Sequence, residues 1–335
     1  MNLQRRVKEV YEEKAPSVVR VKAAFESPEQ SEEEPQLTLK IGTGFFISRA
    51  GHVLTNASVA HNAQRVWIEY QGGVFAAELI GSDPETNLSL LELITVPDNF
   101  GYLSIPGSDE NAAIGSMVMS ISCPLEFAPS PTLGMISGVE SEFAQRRFQT
   151  SYMRTNIPAD PGEGGSPVFF LNGSLAGIIV ASLPEIRSSY ILPARAILRI
   201  RDDLLFSGSV SYGWIGVEGL QERAGGGVLI EGVIPETPAA EAGLKPGDIL
   251  VSIGEKEIRS ERDARDASFF HRVGEFMEIK VRRDGVVHEY PVKVIARPGA
   301  SVEGEGLPDV DSGTGEQALP GRGFPAGPAF PSEPE

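Results

Sequence analysis

Between residues 15 and 206 the chain is cut into short apolar segments set apart by Gly, Pro, Asn and Asp, and this rhythm fits a β-rich fold. The segments SVVRVKAAF, GTGFFIS, GHVLTN, RVWIEY, VFAAELIG, LSLLEL, SMVMSIS, SLAGIIVAS and SYILP have the length and the Val, Ile, Phe and Tyr content of strands. Gly72-Gly73 between two of them predicts a tight hairpin. About a dozen such strands with turns between them predict a barrel or sandwich. Ahead of them, residues 1–14 carry Leu3, Val7, Val10 and Tyr11 at helical spacing and predict one short helix. ESPEQSEEEPQ (26–36) reads as an exposed acidic loop.

A second unit spans 211–297. Thr237 as cap, Pro238 in the first turn and Gly243 just past the end predict a compact helix. Ser260 with Asp263 forms a capping-box signature for another, over 261–272. Strand-like segments GVLIEGVI, DILVSIG, MEIKVRR and EYPVKVIA surround the two. The tail 298–335 is rich in Gly, Pro and Glu, a composition that predicts disorder. A net charge of −17 with no basic stripe argues against nucleic-acid or anionic-membrane partners. The single Cys123, after an apolar run, excludes an intramolecular disulfide and reads as a small buried thiol. No apolar run reaches the length of a membrane span. No His, Cys, Asp and Glu cluster has metal-ligand spacing, and no cofactor motif is present. MNLQRRVKEVYEEKAP lacks the apolar core of a signal peptide, so the protein is either cytoplasmic or exported by a segment outside this chain.

Residues 158–168, PADPGEGGSPV, crowd glycines around one serine between prolines. Loops of this kind present a nucleophile beside backbone amides that hold an oxyanion. Taken in order with GTGFFISRAGHVLTNASVA, GSDPETNLSLLEL and SSYILPARAI, the loop makes residues 15–206 resemble the HtrA/Deg family of trypsin-like serine proteases. The unit at 211–297, with GWIGV and TPAAEAGLKPGDIL, is similar to the PDZ domain such proteins carry. The resemblance implies a mainly β chain: two six-stranded β-barrels packed together, then a PDZ domain built as a small β-barrel with two helices.

It also implies a Ser–His–Asp triad, and each position can be checked. Where the family has histidine in TNxHVV, this chain reads TNASVA, with Ser58. Where it has the second aspartate of GxDxxTDLAVL, this chain keeps Asp83 but places Asn87 at the catalytic position. PGEGGSP aligns with PGNSGGP through Pro161 and Pro167, which puts Glu163 on the asparagine, Gly164 on the nucleophile and Ser166 on the second glycine. Gly164 has no attacking atom, Ser58 no base near neutral pH, and Asn87 cannot stabilise an imidazolium. Loss of nucleophile or base lowers turnover roughly 10⁶-fold in triad hydrolases. The expectation is therefore a chain that is not an enzyme, a pseudoprotease with a vestigial oxyanion loop at Gly162 and Gly164. Use of Ser166 requires a two-residue shift that breaks both proline anchors, and His61 lies three residues past the base position. Both read as structural, and an active endopeptidase with a rearranged site is the alternative.

In the PDZ-like unit the resemblance assigns a carboxylate-binding loop and strand edge to Trp214, Ile215, Gly216 and Val217. Ala264, Ala267 and Phe270 are the pocket candidates on the facing helix. A loop of amides holds a peptide's terminal carboxylate while the peptide adds as a strand to the sheet edge. The expected partners are polypeptides with hydrophobic C-termini, and the expected role is scaffold, adaptor or regulator in protein quality control. A structural protein that binds no free peptide is a further alternative. The family also implies an extracytoplasmic location, and assembly as a homo-oligomer such as a trimer, or with an active paralogue.

Overall fold

The computed structural model describes residues 2–26, 37–108, 112–143, 146–223 and 227–297. Glu26, the first residue of the acidic loop predicted above, ends a strand, and the rest of that loop and the tail lie outside them, within 27–36 and 298–335. Helix α1 (Leu3–Lys14) leads through a 3₁₀ turn into β1 (Val18–Glu26). β2 (Leu37–Phe46), β3 (His52–Thr55), the one-turn helix α2 (Ala57–Ala60), β4 (Arg65–Tyr70), β5 (Gly73–Asp83) and β6 (Leu88–Leu93) follow. The six strands close a barrel in the order β1-β2-β3-β6-β5-β4. Its β4–β5 corner is a two-residue turn with Gln71 at φ +48° and Gly72 at +80°, the doubly left-handed geometry that matches strand twist.

The second barrel is built from β7 (Met117–Ser122), β8 (Ser130–Phe143), β9 (Arg146–Thr155), β10 (Pro167–Phe170), β11 (Leu175–Leu183) and β12 (Ser188–Pro193). It closes as β10-β11-β12-β9-β8-β7. The largest apolar core lies between the barrels, where Phe45, Leu54 and Leu90 of the first meet Met119, Ile178 and Leu192 of the second. Helix α3 (Ala194–Ser207) covers it, burying Ile197, Ile200 and Leu204 along one stripe. Each such side chain contributes about 1.5–3 kcal/mol on burial. The helix stops where Gly208 adopts φ +70° and donates to the Leu204 carbonyl.

The last unit comprises β13 (Gly213–Trp214), β14 (Val217–Glu222), β15 (Val228–Val233), α4 (Pro238–Ala242), β16 (Ile249–Ile253), β17 (Lys256–Glu257), α5 (Glu261–Phe269), β18 (Phe276–Arg283), β19 (Val286–Lys293) and β20 (Ile295–Ala296). Its main sheet runs β14-β15-β16-β18-β19, with β14 at one edge. The capping box at Ser260 and Asp263 forms, but α5 ends at Phe269, three residues short of the stretch expected from sequence. There Phe269 leaves its own unit and enters the core between the barrels, with the Arg199 guanidinium 4.5 Å from its ring.

This docking is strongly polar around one residue. Asp266 of α5 is 3% exposed and accepts from Thr150 Oγ1 of β9 at 2.6 Å and Lys256 Nζ at 2.7 Å, and it pairs with Arg195 of α3. Burial pushes its carboxyl up, but the two cations and the threonine hydroxyl outweigh this and pull it down to about 2. Arg265 and Arg262 of α5 donate to the carbonyls of Ser141 and Val139 on β8. Tyr212, just ahead of β13, donates to the Asp83 carboxylate, which burial holds above the usual aspartate range.

Candidate functional site

The glycine loop lies between β9 and β10 and is fixed by Thr43 of β2. Thr43 Oγ1 donates to the Gly162 carbonyl at 2.8 Å and accepts from the Cys123 amide at 2.9 Å. The Thr43 amide donates to the Gly164 carbonyl at 2.9 Å. Gly162 and Gly165 take φ +88° and +87°, which disfavours any side chain, and a Cβ on Gly165 would stand 2.2 Å from the Thr43 carbonyl oxygen. Cys123 is buried, and burial pushes its thiol up to about 12.

Ser166 is fully buried, its hydroxyl 2.5 Å from the Glu163 carbonyl and 2.8 Å from Ser122 Oγ. Burial raises the Glu163 carboxyl, which accepts from the Asp160 amide at 2.9 Å and from the Ser122 hydroxyl. Ser58 is half-buried on α2, and its carbonyl accepts from Lys40 Nζ at 2.9 Å. Asn87, at φ +58°, joins the two barrels: its Oδ1 accepts from the Ser58 amide at 2.7 Å and its Nδ2 donates to the Val180 carbonyl of β11 at 2.7 Å. Asn56, at the start of α2, is wholly buried, and its side-chain amide has no hydrogen-bond partner among the described residues. His61 follows α2, and burial lowers its pKa. Among the described residues no group of three or more His, Cys, Asp and Glu is placed to hold a metal ion.

A groove of about 390 Å³ opens between β14 and α5. Trp214, Ile215 and Val217 line one side and Ala264 the other, over a floor of Leu250, Ile253, Met277 and Ile279. Gly216 shapes the loop without lining the groove. It sits at φ +91°, where a Cβ would stand 2.1 Å from Thr237 Oγ1. The carbonyls of Ile215 and Gly216 accept from the amides of Ala239 and Ile234, which pins the loop against the start of α4. Ala267 packs into the core of its own unit, and Phe270 meets Phe269 edge to face with the Arg195 guanidinium over its ring, so neither lines the groove. The helix wall is made instead by Glu261, Ala264, Arg265 and Ser268. That stripe was readable from helical spacing once Ala264 was placed. Phe148 and Gln149 of β9 add a third wall that no local signal announced. Arg297 lines the groove and has no carboxylate partner among the described residues.

The profile of the trypsin-like peptidase domain matches residues 42–178, and that of the PDZ domain matches 213–294. A probable periplasmic serine endoprotease, DegP-like, of Marinomonas sp. (strain MWYL1) is 30% identical over 273 residues, which cover 77% of this chain and 57% of that relative. Its counterpart in Halomonas elongata is 30% identical over 260 residues, covering 73% and 54%. The matched stretch thus spans little more than half the length of these relatives. The HtrA-type protease AlgW solved with a decapeptide superposes with a TM-score of 0.68 at 22% identity, covering 87% of this chain and 99% of that one. The serine endoprotease from Yersinia pestis gives 0.60 at 24% identity, covering 87% and 98%. The mainly β architecture, a trypsin-like domain followed by a PDZ domain, is therefore as the sequence implied. The expectation that the chain is not an enzyme is corrected: the relatives are named serine endoproteases, and those names point to a protease.

Proposed function

From a chain that joins an HtrA/DegP-type trypsin-like peptidase domain to a PDZ domain, we propose a protein that captures polypeptides by their C-terminal residues. The apolar groove between β14 and α5 carries this reading. Its strand edge offers main-chain pairing, the Trp214–Val217 loop holds the terminal carboxylate, and the floor of Leu250, Ile253, Met277 and Ile279 takes an apolar last side chain. Arg297 supplies a cation near a ligand whose end is an anion. By analogy with relatives named periplasmic, the polypeptides it meets are extracytoplasmic, and capture serves protein quality control.

The test is titration of the full chain with peptides ending in an apolar residue. Saturable binding that requires a free carboxylate and is lost in Ala264→Arg supports the reading. No saturable binding by any such peptide sinks it and favours a structural role.

Peptide-bond hydrolysis is a second reading, favoured by the names of the relatives. For Ser166 to act as nucleophile, the loop has to open and its hydroxyl has to leave Glu163 and Ser122. Covalent labelling by a fluorophosphonate and cleavage of unfolded casein, both lost in Ser166→Ala, support that role. Labelling that survives the substitution assigns the chemistry to another residue.

A further inference from the structure

A second cavity, of about 750 Å³, lies on the barrels, where the end of α1, the β4–β5 corner and the β7–β8 connection meet. Its frame is held from within. Tyr11 and Tyr70 donate their hydroxyls to the Pro129 and Pro16 carbonyls at 2.8 Å each, which fixes both rings in the wall. Arg20 pairs with Glu69 at 2.9 Å and donates to the Phe127 carbonyl, which fixes the connection. The Phe127 ring itself is left 69% exposed, and Val74 in the same lining is similarly exposed. Large apolar side chains left open on an aromatic cavity mark an interaction surface. The lining sets Glu12, Glu69 and Glu126 against Arg20, and the Glu126 side chain is 72% exposed beside its Lys22 partner. The site is therefore aromatic, apolar and acidic.

The sequence carries one segment of matching chemistry, outside the described residues. Prolines recur there at every third position, Pro325, Pro328, Pro331 and Pro334. A polyproline II helix has about three residues per turn, so these rings share one face. Arg322, one turn ahead of them on that face, is the only Lys or Arg in 298–335. A ridge of this kind fits an aromatic-lined site, because its backbone conformation is formed in advance and little entropy is lost on docking. A cavity of this volume is about 9 Å across, one turn at about 3.1 Å per residue, and so takes two consecutive prolines of the repeat. Reach is ample. The 27 residues from 298 to 324 extend to about 90 Å, against about 50 Å across a globule of this size.

We propose that the proline run docks in this cavity of its own chain, with Pro325 and Pro328 against Tyr11, Tyr70 and Phe127 and with Arg322 at the Glu126 carboxylate. The contact uses no residue of the groove between β14 and α5 and stands apart from peptide capture. Tethering gives the segment an effective concentration on the order of 1 mM. A site with a dissociation constant of about 0.1 mM is then about nine-tenths filled.

Photo-cross-linking of the full chain tests this. Phe324→p-benzoylphenylalanine places the probe beside the proline face and leaves that face intact. Irradiation should give adducts within one chain, on peptides that contain Tyr11 or residues 123–129. Adding Pro325→Ala and Pro328→Ala, which alter no described residue, should lower those adducts at least fivefold. The same pair of substitutions in the otherwise unmodified chain should speed amide exchange over 123–129 severalfold, up to about tenfold for a site nine-tenths filled. Arg322→Glu should also lower the adducts, and Glu126→Arg in the same chain should restore them. Adducts spread over other surfaces, adducts that join two chains, or adducts that survive loss of both prolines overturn the proposal. Unchanged exchange over 123–129 overturns it as well. A charge exchange that restores nothing overturns the pairing of Arg322 with Glu126.

Discussion

Replacing Asp266 by asparagine keeps its shape and removes the charge on which α5, α3 and β17 converge. The carboxyl sits at about 2 in the folded protein, against about 3.9 in an unfolded chain. A depressed carboxylate contributes stability that is present above the unfolded value and lost as pH falls through the folded one. The difference of nearly two pH units corresponds to about 2.5 kcal/mol at neutral pH. Asp266 is buried, so solvent screening takes little of this, although Arg195 and Lys256 are each about a third exposed on their side chains. Urea unfolding of wild type and Asp266→Asn at pH 7 should therefore differ by about 2–3 kcal/mol. Amide exchange in β17 and around the start of α3 should rise most, because Lys256 and Arg195 lose the carboxylate oxygen they share while the asparagine oxygen still accepts from Thr150. Repeating the comparison at steps from pH 5 downward should show the gap narrowing below about pH 4 as the wild-type carboxylate takes up its proton. Equal stabilities at pH 7, or a gap that persists unchanged into acid, would refute the assignment of Asp266 as the ionised centre of the docking surface.

Three other substitutions probe the loop and the groove. Gly165→Ala meets both a left-handed φ and a backbone oxygen at 2.2 Å, so urea unfolding should show a loss of about 3 kcal/mol; a loss below about 1 kcal/mol would contradict the described loop. Burial raises the Glu163 carboxyl, so the folded state holds this proton more tightly than the unfolded chain and stability falls as pH rises through its titration. Glu163→Gln should therefore gain on wild type with rising pH in denaturation series, and a pH-independent difference would count against it. Arg297→Glu should weaken peptides with a free carboxylate by about five- to tenfold and leave their amidated forms unchanged, as read by titration; equal effects on both would separate Arg297 from the carboxylate.

The barrel strands were legible because a strand buried on one or both faces writes its pattern locally. Val, Ile and Phe recur in segments bounded by turn residues, and the Gly72-Gly73 corner follows from backbone sterics alone. The proline spacing likewise fixed where the glycine loop begins and ends. The helix wall of the groove was less legible. Ala267 and Phe270 belong to the same short helix as Ala264, but the direction each faces depends on what α5 packs against. Phe269 and Phe270 look alike in sequence and are separated only by the barrel core that accepts the first. Phe148 and Gln149 reach the groove from a strand of the second barrel, far from the rest of its lining in sequence, through a docking geometry that no local period encodes.

That geometry explains an oddity of α5, whose sequence ERDARDASF is strongly polar although the helix is sandwiched between the PDZ sheet and a barrel. A helix so placed usually shows apolar residues all round. Here the charges are admitted because most of them have partners in place: Asp266 between Arg195 and Lys256, Arg265 between Glu261 and the Ser141 carbonyl, and Asp263 in the capping box. Buried pairs of this kind add little over an apolar contact, but removing one member leaves the other stranded, so they fix orientation more than they add stability. For α5 that orientation settles which side chains are left for the groove. With Asp266 turned to the barrel and Ala267 to the PDZ core, the helix can show the groove only Glu261, Ala264, Arg265 and Ser268. The lining of the groove is thus set in part by a contact made on the opposite side of the helix, and under the proposed peptide capture variants at Asp266 should alter which peptides bind as well as how stably the domains dock.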